Sequence, residues 1–213
     1  MLTRLHYNKV LSPILSFEVR KLDHDHRRQE VAEAAAKLIA ERGLECLTTR
    51  NLAKELRCSI GVLSHYFENK QQIVLAAFHW ADQRIDARVQ EAMLRQDLCL
   101  DTFIPVIIEG LPITLESDME WKVRFNLYTH AFTEPDLLLA QREKLDHFRR
   151  LMEQQIANLQ QRGQIRTDTS AELVTQLAFD ITIGAAHTLL MLPMNERRER
   201  AGRLLTLLDQ LRP

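Results

Sequence analysis

Apolar positions recur three and four residues apart along most of this chain, and the two-residue alternation of strands is absent, so the pattern predicts an all-α protein. Over 27–42, Val31, Ala35, Leu38 and Ile39 fall on one helical face, and Gly43 supplies a left-handed stop. Thr48 or Thr49 caps a short helix with Leu52, Ala53 and Leu56 inward. Arg57, Cys58 and Ser59 break that pattern. Ser59 then caps a second short helix with Leu63 and Phe67 inward and Val62 and Tyr66 near the boundary. Further helices are predicted over 70–95, 101–116, 118–132, 135–162, 170–192 and 195–211, and Thr169 with Glu172 has capping-box spacing ahead of the most apolar of them. The expected organisation is an N-terminal extension at 1–22, a small helical domain at 23–75 and a larger helical domain at 76–213.

Two short helices joined by three or four residues form a helix-turn-helix unit, with 27–42 as its platform. The outward face of the second helix carries the functional signal. Gly61 has no side chain, Ser59 and Ser64 have short ones, and His65 and Tyr66 can donate hydrogen bonds to phosphates or base edges. A glycine inside a helix costs roughly 0.5–1 kcal/mol relative to alanine, which close approach to another molecule would repay.

The set Gly43, Leu47-Thr48-Thr49-Arg50, Leu52-Ala53, Ser59, Gly61, Leu63, His65-Tyr66-Phe67, Asn69 and Lys70 resembles the DNA-binding domain of the TetR family of transcriptional regulators, over 27–75. That resemblance implies that the helix from Ser59 to Phe67 is the recognition helix. It also implies that Thr48, Thr49 and Arg50 stand at the DNA-facing start of the preceding helix and that Lys70 meets a phosphate. The expected DNA-binding set is therefore Thr48, Thr49, Arg50, Ser59, Ile60, Gly61, Val62, Ser64, His65, Tyr66 and Lys70. Where most of the family has Tyr, this chain has Ser64. The run Ser64-His65-Tyr66-Phe67 resembles instead the betaine-pathway (BetI-type) repressors that respond to choline, with Tyr66 taking over the phosphate contact.

Composition changes this picture little. The chain has 213 residues, 46% of them hydrophobic, which suffices for a buried core and excludes a disordered protein. With 28 Lys and Arg against 29 Asp and Glu, the net charge of −1 offers no bulk attraction to nucleic acid, so placement of charge on one face must provide it. The three cysteines, Cys46, Cys58 and Cys99, lack metal-type or CxxC spacing and read as reduced thiols in a cytoplasmic protein. His24-Asp25-His26 lacks a third ligand at helical spacing, so no metal is expected, and no other cofactor is implied. Residues 1–22 lack the apolar core and cleavage site of a secretory signal; their Arg4, Lys9, Arg20 and Lys21 leave open a floppy extension or an arm along the DNA backbone. The stretch 177–194 contains Asp180 and His187 and reads as a buried helix rather than a membrane span.

Two further signals lie beyond Lys70. Trp121, Phe125, Tyr128 and Phe132 share one helical stripe, which Phe103, Phe148 and Phe179 can join in space, with Trp80 nearer the small domain. Such a stripe reads either as core or as the lining of a ligand pocket. The family resemblance favours a pocket for a small-molecule effector, and aromatic faces suit a quaternary ammonium compound as well as many apolar ligands. The final helices combine Leu177, Ile181, Gly184, Ala185, Thr188, Leu189, Leu204 and Leu208 in apolar or small-residue faces, the pattern of a four-helix homodimer interface. The function expected is a homodimeric, ligand-responsive repressor binding a palindromic operator, with no catalytic residues. A helical enzyme is the other class, but His130, Asp146, His147 and Asp180 are scattered candidates without a nucleophile motif. A protein-binding module without operator recognition is the third.

Overall fold

The computed structural model describes residues 24–94, 99–208 and 212–213, and no strand occurs among them. The extension at 1–22 with its basic residues lies outside that range. The chain forms two compact units that divide between Trp80 and Ala81, somewhat past the boundary expected at 75.

In the first unit, helix α1 covers 24–42 and buries Val31, Ala35, Leu38 and Ile39 as its periodicity requires. Gly43 ends it at φ 81°, ψ 165°, a region open essentially to glycine alone, and its N–H donates to the Ile39 carbonyl at 2.9 Å. A 3₁₀ turn at Leu44–Cys46 leads into α2, Thr49–Glu55. Thr48, not Thr49, is the cap: its Oγ1 accepts from the Asn51 N–H at 3.1 Å. The turn that follows is a Schellman closure, with the Arg57 N–H on the Lys54 carbonyl at 3.2 Å and the Cys58 N–H on the Ala53 carbonyl at 2.9 Å. Arg57 occupies its left-handed position at φ 52°, where glycine would be unstrained. Helix α3, Ile60–Tyr66, then buries Leu63 against this frame, and Phe67 is buried just beyond it.

Helix α4 runs Lys70–Leu94, with the Asn69 side chain accepting from the Gln72 N–H at 2.9 Å at its start. In the second unit, α5 is Leu100–Glu109, shorter than the 101–116 read from the pattern. Pro112 disfavours helical backbone at Leu111, and Thr114 opens α6, Leu115–Ala131, through a reciprocal capping box with Ser117. Helix α7 is Pro135–Gln161 and closes on Gly163 at φ 67°. Helix α8 is Ala171–Leu190; Ser170 rather than Thr169 caps it, accepting from the Leu173 N–H at 3.2 Å. Helix α9 is Met194–Leu208.

Helix α7 packs along α8, and α6 touches both. One core cluster gathers Ile85, Leu111, Trp121, Ala186 and Leu189; a second gathers Leu100, Met152, Ile156 and Leu159. Buried charges tie the helices together. Glu120, wholly buried on α6, accepts from Arg84 Nε at 3.1 Å and Arg88 Nη1 at 2.8 Å on α4. Arg197 on α9 donates to the Pro112 carbonyl at 3.1 Å and to Asp118 at 2.6 Å. Removing one partner of such a pair strands a buried charge, so these contacts fix which helices neighbour which more than they add net stability.

The sequence reading of 177–194 as a buried helix is corrected here. Helix α8 is apolar on two faces: Val174, Ala178, Ala186 and Leu189 face the unit's own core, while Leu173, Leu177, Ile181 and, just past the helix, Met191 are exposed by 50%, 52%, 40% and 72%.

Candidate nucleic-acid interface and ligand cavity

Helix α3 is held at both ends by its own unit. Leu63 and Phe67 anchor its inner face, and α1 clamps its last turn: Arg28 donates to the Tyr66 carbonyl while its guanidinium lies 4.3 Å over the Phe67 ring. The His24 ring packs 5.0 Å from Tyr66. Neither Arg28 nor His24 belongs to the expected set, because their role depends on a contact across 38 residues of sequence in the case of Arg28. Tyr66 is half-buried, whereas Ser59, Ile60, Gly61, Val62, Ser64 and His65 are exposed. This outward face combines small residues with the apolar Ile60 and Val62, which suit thymine methyl groups. Ser64 Oγ folds back on the Ile60 carbonyl at 3.3 Å.

A Cβ built on Gly61 would meet only Ser59 Oγ, at 3.8 Å. Nothing within the protein therefore requires a glycine there, and its helix penalty is unexplained by packing. Thr49, Arg50 and Lys70 are also exposed, Thr49 opening α2 and Lys70 opening α4. A lysine at a helix N-terminus opposes the helix dipole, but the same pairing of ammonium and free N–H groups favours a bound phosphate.

The second unit encloses a cavity of about 90 Å³ among α4, α5, α6, α7 and α8. At roughly 10–15 Å³ per water, that volume has room for a small organic molecule. Ile85, Val89, Ile107, Phe148, Met152, Phe179 and Ile183 form its apolar wall. The polar wall is a charged network from three helices. Asp82, wholly buried, accepts from Arg124 Nε at 2.9 Å and Nη2 at 2.6 Å and is paired with Lys144, which lies 3.8 Å from Asp86. Burial pushes the Asp86 carboxyl above its ordinary range, partly offset by Lys144. Burial likewise raises the Tyr128 phenol, which stays protonated at neutral pH. Gln141, 4% exposed, also lines the cavity, and its Nε2 is buried without a hydrogen-bond partner.

The expected aromatic lining divides. Trp121, Tyr128 and Phe179 line the cavity, although Trp121 spends its Nε1–H on the Gly110 carbonyl at 2.7 Å and Arg124 covers its ring at 4.9 Å. Phe125 does not; it packs between Trp121, Tyr128 and His187 with ring centroids 5.4–5.9 Å apart, so its role is core packing. Phe132 is 78% exposed past the end of α6, because the helix stops one residue earlier, and Trp80 belongs to the first unit. Phe103 lies on α5, with its side chain outside the described ones. Sequence reading missed Asp82, Arg124, Gln141 and Lys144, since charged and amide residues on amphipathic helices read as solvated faces.

Of the residues expected at a dimer interface, Leu177, Ile181, Gly184 and Thr188 are exposed and Ala185 is half-buried. Leu189 is corrected: at 1% exposed it sits in the unit's own core, on the opposite face of α8. The side chains of Leu204 and Leu208 lie outside the described ones.

Residues 31–77 match the family model described as bacterial regulatory proteins, tetR family. The chain is 25% identical over 186 residues to the HTH-type transcriptional regulator PksA of Bacillus subtilis, covering 87% of this chain and 89% of that protein. Among solved structures it is similar to a transcriptional regulator from Rhodococcus sp. Rha1, with a TM-score of 0.75, 23% identity, and 86% and 95% of the two chains covered. It is also similar to a putative transcriptional regulator from Saccharomonospora viridis in complex with choline, with a TM-score of 0.71, 18% identity, and 85% and 96% covered.

Proposed function

We infer that this chain is a TetR-family transcriptional regulator, a DNA-binding protein rather than an enzyme: a cytoplasmic repressor that binds a palindromic operator as a homodimer through α3 and releases it when an effector fills the second unit's cavity. The observation that carries the DNA half is Gly61, a glycine that no packing contact requires, on the exposed face of α3, in a unit where Arg50 and Lys70 are also exposed. In a two-fold dimer the recognition helices enter successive major grooves when they stand about 34–36 Å apart. An effector that binds more tightly to a form with another spacing lowers operator affinity by no more than that difference.

The test uses an operator selected from random duplex DNA. Gly61→Ala should stabilise the folded protein by about 0.5–1 kcal/mol while weakening operator binding, since the added methyl has room in the protein but stands between α3 and the groove. Lys70→Ala should weaken binding to all sequences and lower the salt slope by about one phosphate's worth. Operator affinity unchanged by both would remove α3 from the DNA surface.

A finer reading, a betaine-pathway regulator with a quaternary ammonium effector, is supported by Ser64-His65-Tyr66-Phe67, by Tyr128 and the carboxylates of Asp82 and Asp86 at the cavity, and by the choline-bound structural relative. Against it stands Arg124, whose guanidinium already occupies a face of Trp121.

A further inference from the structure

We propose that the effector is an uncharged, largely apolar molecule carrying a hydrogen-bond acceptor that seats on the Gln141 amide; this deepens the reading of the cavity as the effector site and rests on it. Three observations converge. The cavity's surface is dominated by Ile85, Val89, Phe148, Met152 and Ile183, so the bulk of its occupant is apolar. The charges that border it are already balanced, Asp82 and Asp86 against Arg124 and Lys144, with Asp82 receiving both cations. A cationic ligand would face Arg124 and Lys144, and an anionic one would face the two carboxylates; either adds an uncompensated charge to a poorly hydrated wall. The donor left over is neutral: Gln141 Nε2, more than nine-tenths buried, has no partner.

A buried amide N–H₂ without a partner has already lost its water, and an acceptor placed on it restores a bond at no further desolvation cost to the protein. A hydrocarbon of the same shape leaves it orphaned. The site therefore discriminates by the presence of one acceptor, the situation in which a buried polar group gives the largest selectivity.

The experiment measures binding to the full chain by calorimetric titration with three probes at mildly alkaline pH: benzene, pyridine and choline. Benzene and pyridine share one shape and differ by a ring-nitrogen acceptor, pyridine being uncharged under these conditions. The expected result is pyridine bound about tenfold more tightly than benzene, the ratio that one net hydrogen bond supplies, with choline weaker than both. Gln141→Leu should abolish that ratio, and the Gln141 side-chain amide resonance should shift on addition of pyridine but not of benzene. Equal affinities for benzene and pyridine, or a ratio that survives Gln141→Leu, would overturn the anchor while leaving the cavity as a ligand site. Choline binding tighter than pyridine would overturn it in favour of a cationic effector. If no probe binds and none shifts a resonance of Phe148 or Phe179, the cavity reading fails together with the proposal.

Discussion

Leu177→Arg separates the two faces of α8. Leu177 is 52% exposed in the protomer, at a stripe shared with Leu173, Ile181 and Met191. Fully burying a leucine is worth about 1.5–3 kcal/mol, so covering its exposed half contributes about 0.8–1.5 kcal/mol, counted twice in a two-fold dimer. Arginine at that place forfeits this gain and puts two like charges into a helix contact, at a further cost of several kcal/mol. Together these exceed about 4 kcal/mol, roughly a thousandfold rise in the dimer dissociation constant. If the parent is the proposed dimer, sedimentation equilibrium over a wide concentration range should show Leu177→Arg as a monomer under the same conditions, with its helical circular dichroism intact, because the exposed half of Leu177 contributes nothing to the protomer's own core. Leu189→Arg is the contrast. Only 1% exposed, Leu189 lies in the core cluster with Trp121 and Ala186, so charge there should unfold the second unit rather than dissociate it. An undiminished dimer in Leu177→Arg would place the interface on another surface and refute the argument from the exposed stripe.

Two predictions concern stability. Burial holds the Asp86 carboxyl above its ordinary value of 3.8, so the native state keeps its proton to higher pH than the unfolded chain and stability falls as pH rises through that window. Asp86→Asn should remove this fall and raise the melting temperature at neutral pH, while Lys144 keeps its pairing with Asp82; parallel pH profiles for parent and variant would contradict it. Arg57→Gly should relieve the left-handed strain of the helix-turn-helix turn by about 1 kcal/mol, less part of that for the more flexible unfolded chain. A melting temperature that falls instead would show that the Arg57 side chain contributes more than its backbone costs.

Local pattern determined a great deal. The spacing of Val31, Ala35, Leu38 and Ile39, the stop at Gly43, and the inward pair Leu63 and Phe67 specify the helix-turn-helix unit, because each is a choice made within one or two turns of helix. The exposed phase of Gly61, Ser64 and His65 follows from the same arithmetic. Helix ends were less legible: Ser170 and Thr169 are both capable caps, and only the backbone conformation selects between them. The aromatic stripe shows why the cavity was only partly legible. Trp121, Phe125 and Tyr128 share a face of α6, yet packing sends Phe125 into the core and leaves Trp121 and Tyr128 at the cavity wall, a choice set by what α4, α7 and α8 bring opposite. The polar wall was hidden for the same reason. Asp82, Arg124, Gln141 and Lys144 are separated by up to 62 residues, and each alone reads as a solvated position. Helical periodicity tells which residues leave water, but which of them meet, and which buried donor is left without a partner, depends on long-range packing that no local window contains.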